Sequence, residues 1–209
     1  NQFYRDEKNN EGLKCGLKNP DLEKCHQIQD KTFHKKHLVW LKTKKSDEES
    51  QHKGSSSFFN ESEIKRIKTT LDFLNKSYEK IEKKPSVGVI TFYGSQLSEL
   101  TSLEKKGFWR LPREDRNYPH LDIRFGTVDR FQGQEKDIII VSLVRNNKRH
   151  EVGFAKKPHR INVAFSRARN LLIIVGNPDN FRFGNNEKSV QQYDEIFNIA
   201  KKFGSVKGE

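Results

Sequence analysis

Two short runs, Ile138-Ile-Ile-Val-Ser-Leu-Val144 and Leu171-Leu-Ile-Ile-Val175, constrain this chain more than any other feature. Each is apolar at successive positions, with β-branched residues and almost no alternation, so each requires apolar cover on both sides. A parallel sheet sandwiched between helices supplies that cover. The polar stretch between the runs reads as the crossover that two parallel strands need. Polar residues stand where each run begins or ends, and open α/β sheets hold their ligands in the loops at the carboxyl ends of the strands. The fold class expected is therefore α/β, a largely parallel sheet with helices on both faces.

The remainder of the chain fits that frame. His37-Leu-Val-Trp-Leu-Lys42 predicts a first strand, and Val87 to Phe92 a second. Between them Asn60 is placed to cap a helix, with Glu61 and Glu63 in the first turn where the helix dipole favours acids. Ile64, Ile67, Leu71, Leu74 and Tyr78 recur at three and four residues and give that helix one apolar face. Lys44 to Ser57 reads as a mobile loop, and Asp47-Glu-Glu49 within it as a solvated charge cluster. Gly94-Ser-Gln96 opens a short helix through Leu97, Leu100 and Leu103. Residues 105 to 120, with Trp109-Arg110 and Pro112, form a basic irregular insertion. Val190, Tyr193, Ile196, Phe197, Ala200 and Phe203 predict a last amphipathic helix, followed by a frayed tail at residues 204–209.

A net charge of +12 over 209 residues calls for a polyanionic partner, nucleic acid before membrane, since no apolar run is long enough to span a bilayer. Cys15 and Cys25 are too few for a disulfide framework, which points to a reducing compartment. Cys15, Cys25, His26, His34 and His37 match none of the familiar zinc spacings, so no metal ligand is assigned. The chain opens on Asn1 and contains no methionine, as expected of a piece of a longer protein.

Three segments then narrow the reading. Thr127-Val-Asp-Arg-Phe-Gln-Gly-Gln-Glu135 with Val144-Arg-Asn-Asn147 resembles motif V of superfamily 1 helicases in the form used by the Upf-like and senataxin-like group. Arg160-Ile-Asn-Val-Ala-Phe-Ser-Arg-Ala-Arg169 resembles motif VI, and Gly88-Val-Ile-Thr-Phe-Tyr-Gly-Ser-Gln96 resembles motif IV. Three segments in the family's order, each abutting an apolar run, cover roughly residues 37 to 180. The resemblance implies the second (C-terminal) of two RecA-like domains, occupying 37–203, with residues 1–36 leading in from a first domain. It is a P-loop NTPase fold without its own P-loop, because Gly-x-x-x-x-Gly-Lys-[Ser/Thr] occurs nowhere in the chain.

The family's chemistry implies roles for particular residues. ATP hydrolysis is largely positioning and charge neutralisation. By resemblance Arg167 is the arginine finger that reaches the γ-phosphate, and Arg160, on the same helical face, is a further nucleotide-binding residue. Glu135 accepts hydrogen bonds from the nucleotide ribose, as an acceptor-only carboxylate can. Gly133 lets backbone approach the nucleotide, and Gln132 bridges the domain interface. Thr91, Tyr93, Thr127 and Asn147 would hold the backbone of a single strand, Tyr93 with the option of stacking on a base, while Arg145 adds positive field. The implied cofactor is ATP with Mg²⁺, whose ligands would lie on the first domain. The expected setting is a cytoplasmic monomer, nuclear in a eukaryote, without membrane contact. The rival expectation is a non-catalytic nucleic-acid-binding module that keeps the helicase fold.

Overall fold

The structure is a computed structural model that describes residues 25–105, 118–183 and 187–208. Most of the expected lead-in segment and the basic insertion around Arg110 lie outside the described residues. In chain order the elements are β1 (Leu38–Leu41), β2 (Ser50–Gln51), β3 (Phe58–Phe59), α1 (Glu61–Ile81), β4 (Ser86–Thr91) and α2 (Gly94–Lys105). Then follow β5 (Asp122–Thr127), β6 (Lys136–Ser142), α3 (Pro158–Ser166), β7 (Ala168–Val175), α4 (Pro178–Arg182), α5 (Glu187–Lys202) and β8 (Ser205–Lys207). Single 3-10 turns at Val128–Phe131 and Gly153–Lys156 lie in the connections.

Six strands form one sheet in the order β5-β4-β6-β7-β1-β8, with each neighbouring pair parallel. This is the α/β, RecA-like architecture. The apolar runs of β6 and β7 lie at its centre, buried on both sides as their unbroken hydrophobicity requires. Pleating sends alternate residues to opposite faces. Ile138 and Ile140 pack with Ile67, Leu71 and Leu74 of α1. Ile139 and Val141 pack on the other face with Ile161 and Phe165 of α3 and Tyr193 and Phe197 of α5. Each such side chain contributes about 1.5–3 kcal/mol when fully buried, so two cores share the work of holding the sheet.

The helix predicted after Asn60 is present. The Asn60 side chain accepts from Glu63 N, and Ile64, Ile67, Leu71, Leu74 and Tyr78 are all buried. Ahead of β1, residues with no clear periodicity also join the core. Ile28 and Phe33 are buried, Phe33 stacks on Phe73 at 5.1 Å, and the Tyr78 hydroxyl donates to the His26 carbonyl at 2.9 Å.

The connection from β5 to β6 must cross the sheet within the eight residues Val128 to Glu135, whereas parallel crossovers usually take a dozen or more. It succeeds by lying flat. Phe131 is fully buried over Gly88 of β4 and Gly126 of β5. A Cβ on either glycine would come within 2.7 Å or 2.9 Å of the Phe131 ring, so only glycine leaves room for it.

One sequence expectation needs correction here, and one element went unread. Residues 205–207 are not frayed: they form β8, which pairs with β1 in the register Val39↔Ser205. Without β8 the far side of β1 would be an open edge of unpaired backbone groups. The Asn177-Pro178-Asp179 sequence, not singled out above, starts α4, with the Asn177 side chain accepting from Asp179 N.

Candidate functional site

The carboxyl ends of β4 and β6 carry a dense layer of hydrogen bonds. Beyond Ser142 the chain turns at Val144, whose φ of +71° lies in the left-handed region that β-branched residues avoid. Glu63 holds it there. This fully buried carboxyl group accepts the Val144 N–H on both oxygens, at 2.9 and 3.0 Å, and the Ser142 hydroxyl at 2.6 Å. Gln96 extends the layer by donating to Ser142 Oγ at 2.9 Å and accepting from Asn60 N at 2.8 Å.

In a capping box, the acid three residues into the helix would accept the cap's own N–H. Because Gln96 takes that N–H, Glu63 can turn toward Val144 instead. Complete burial pushes the Glu63 carboxyl up to about 8, against the hydrogen bonds from Ser142 and the backbone that favour its ionised form. The sequence offered Glu63 only as a first-turn acid, although its spacing from Asn60 was a usable signal.

Several residues expected to meet nucleic acid are engaged with the protein itself. Arg145 is buried, its Nε 2.9 Å from Glu49, its Nη2 donating to Glu151 at 3.2 Å, and its guanidinium 4.0 Å over the Phe58 ring. A buried guanidinium needs a carboxylate partner. Glu49 supplies it with its own side chain only 6% exposed, so it is not part of a solvated cluster. The stretch read as a mobile loop is tied down as well. Asn146 donates to the carbonyls of Lys44 and Asp47, and β2 pairs with β3.

Tyr93 is buried, and its hydroxyl accepts from Phe154 N at 3.0 Å and donates to the Val152 carbonyl at 3.4 Å. Its ring is not open to a base. Thr91 is fully buried, with its hydroxyl accepting from Tyr93 N at 3.3 Å. Asn147 is half-buried and donates to Glu49 and to the Glu151 carbonyl. Thr127, at the end of β5, is half-buried and makes no capping hydrogen bond.

The opposite end of the sheet is more open. Arg167 follows α3 directly and Glu135 immediately precedes β6; Lys136 N donates to the Arg167 carbonyl at 3.0 Å. The two residues therefore stand at the same end. Glu135 is exposed and pairs with Arg169 at 3.2 Å. Arg167 donates from Nη2 to Ser166 Oγ at 2.9 Å, while its Nε is buried without a hydrogen-bond partner. Gln132 and Gly133 are exposed, and Gly133 adopts φ +75° with nothing within 4 Å of where a Cβ would stand.

Arg160 stands apart from this group. It lies in the first turn of α3, about 10 Å along the axis from Arg167, and pairs with Asp129 at 2.9 Å near the end of β5. The shared helical face is real, but the two arginines occupy its opposite ends.

Among the described residues, no group of three or more His, Cys, Asp or Glu side chains could hold a metal ion, and no helix is long and apolar enough to cross a membrane. Cys25 is a free, exposed thiol; Cys15 lies outside the described residues.

Residues 1–179 match the sequence family described as AAA domain. The chain is 39% identical over 145 residues to DNA polymerase alpha-associated DNA helicase A of Saccharomyces cerevisiae, covering 67% of this chain and 19% of that protein. It is 40% identical over 124 residues to the Regulator of nonsense transcripts 1 homolog of Drosophila melanogaster, covering 59% and 10%. It is 36% identical over 126 residues to Helicase sen1 of Schizosaccharomyces pombe, covering 60% and 7%. The chain thus spans a fifth or less of the length of these curated relatives. A parallel RecA-like sheet, the three motif-like segments in order and the extent of the family match converge: the chain belongs to the AAA domain family, as a helicase-like domain of the Upf-like group of superfamily 1.

Proposed function

We propose that this chain is the second motor lobe of an ATP-dependent helicase or translocase. In this reading Arg167 serves as arginine finger, Glu135 meets the ribose, and Gln132 and Gly133 line the seam with a first lobe. The observation that carries it is the placement of Arg167 and Glu135 at the same end of the sheet, where Lys136 N, next to Glu135, donates to the Arg167 carbonyl at 3.0 Å. The donor set fits a nucleotide. Arg167 has a buried Nε–H with no acceptor, and Gly133 leaves open backbone beside Glu135. A guanidinium is permanently charged and planar, which suits it to phosphate oxygens.

Mg²⁺-ATP, when bound, supplies the phosphoryl group and the metal charge. This chain's part is to orient and to neutralise. Closure of the lobes around the nucleotide would bring Arg167 toward it and free Glu135 from Arg169, an exposed pair worth only ~0–1 kcal/mol. Differential affinity of ligand for the closed arrangement is what would couple hydrolysis to movement along a strand. Two relatives are named for DNA and for transcripts, and the substrate class proposed is accordingly single-stranded nucleic acid, DNA or RNA. Arg160, paired with Asp129 near the end of β5, fits the strand side better than the nucleotide side. The protein is proposed to act as a monomer, in the cytoplasm or the nucleus.

The test is Arg167→Ala in the full-length protein, read as nucleic-acid-stimulated ATPase. Loss of about 10³-fold or more in turnover with strand binding retained is expected. Near-normal turnover would overturn the assignment and favour a non-catalytic binding module.

A further inference from the structure

Phe154 is 51% exposed, on the 3-10 turn Gly153–Lys156 between β6 and α3. A phenylalanine on slack backbone would fold its ring inward, because burial removes apolar surface from water. This backbone is not slack. The Tyr93 hydroxyl accepts from Phe154 N at 3.0 Å and contacts the Val152 carbonyl at 3.4 Å. From the other side the Tyr193 hydroxyl donates to the Ala155 carbonyl at 3.0 Å. Gly153 takes φ +59°, and a Cβ there would collide with the Tyr93 hydroxyl and lie 3.0 Å from Arg145 Nη1. The hydrogen bonds to Tyr93 and Tyr193 thus fix the backbone on either side of Phe154, whose ring is half exposed above the buried Tyr93.

The surroundings of the ring suit a polyanion with flat bases. The Tyr93 ring lies 5.4 Å away, tilted by 42°, and the Arg160 guanidinium lies 5.8 Å from the Phe154 centroid. Lys156 and Lys157 follow directly and are exposed. The nearby acids are already neutralised, Asp129 by Arg160 and Glu151 by Arg145 and Arg149, which leaves the lysines as net positive charge. An aromatic side chain held rigid in solvent loses little freedom on stacking, and stacking works with every base because each has a π-face.

We propose that Phe154 is the base-stacking platform of this lobe, with Lys156 and Lys157 meeting the adjacent phosphates. It takes the role that sequence reading gave to Tyr93, which instead supports it from below. The proposal rests on the nucleic-acid reading above and adds a residue to it.

The full-length protein should be titrated with a fluorescein-labelled oligothymidylate and with an abasic strand of the same length. Phe154→Ala is expected to weaken binding of the oligothymidylate about tenfold while leaving the abasic strand unchanged, and Phe154→Trp to restore it. The double substitution Lys156→Ala, Lys157→Ala should weaken both strands and reduce the salt slope by about 1.4, at roughly 0.7 per phosphate. Equal weakening of both strands by Phe154→Ala, or none, would overturn the platform. Intact strand binding with reduced ATPase in Phe154→Ala would instead assign the ring to the first lobe. If the unsubstituted protein binds neither strand, the nucleic-acid reading itself fails, an outcome distinct from failure of Phe154 alone.

Discussion

At the carboxyl ends of β4 and β6, polar side chains are bonded to one another: Glu63 to Ser142 and Val144, Gln96 to Ser142 and Asn60, Arg145 to Glu49. At the amino ends of β6 and β7, Gln132 and Gly133 face solvent, Glu135 is held only by an exposed pair, and Arg167 retains an unmatched Nε. The first end is largely bonded to itself, whereas the second is more exposed. Preorganised groups lose little freedom when they bind. Exposed and unmatched groups remain available to a second surface, as the proposed motor lobe would need at its seam. The contrast also explains why the expected strand-gripping residues are buried: Thr91, Tyr93 and Arg145 build the rigid end, and other groups face outward from it.

The contrast can be broken most directly at Glu63. Glu63→Leu removes the acceptor for Val144 N and Ser142 Oγ at once. Two orphaned buried donors cost about 2–6 kcal/mol together, at 1–3 each, so urea unfolding should shift by that amount. A change within ~0.5 kcal/mol, typical of surface substitutions, would mean that the carboxyl end is not held by this layer.

A second effect, spread over pH, follows from acidity. The Glu63 carboxyl is raised from 4.5 to about 8 by burial. Between those values the folded chain retains a proton that the unfolded chain has lost, so stability falls as pH rises through the window, by at most ~1.4 kcal/mol per pH unit. Glu63→Gln keeps the acceptor and cannot titrate; the difference between its unfolding free energy and that of the unsubstituted chain should vary with pH in this window and flatten above it. Parallel pH profiles would rule out a buried neutral carboxyl.

The least effect on stability belongs to the open end. Glu135→Ala breaks a pair whose partners are 54% and 49% exposed, and should change unfolding by less than ~1 kcal/mol. In the full-length protein the same substitution should raise the ATP concentration needed for half-maximal turnover. A large loss of stability with unchanged nucleotide dependence would reverse the comparison between the two ends.

What was legible in the sequence was what local spacing determines. Asn60 followed by Ile64, Ile67, Leu71, Leu74 and Tyr78 specified a cap and a face, and the continuous runs Ile138–Val141 and Leu171–Val175 specified strands buried on both sides. Long-range partnership was not legible. Nothing near Glu49 announces that it will meet Arg145 across the fold, and nothing near Glu63 shows that Gln96 will free it from its usual capping role. Tyr93 was singled out as a strand-contacting residue, and the burial that closes its ring to a base depends on Phe58 and Phe154 arriving from separate connections. β8 escaped notice because three residues leave no periodicity; what creates them is the vacant edge of β1.

Phe131 links the two ends. The segment it anchors carries Thr127 at one terminus and Glu135 at the other, and the ring is trapped at mid-span in a slot that only Gly88 and Gly126 can provide. A connection this short and clamped at its centre has no slack to take up, so it behaves as a stiff rod across the sheet. If this lobe closes on a nucleotide as proposed, a displacement imposed at the Glu135 end would be carried to the Thr127 end through leverage rather than through any softening of the interior.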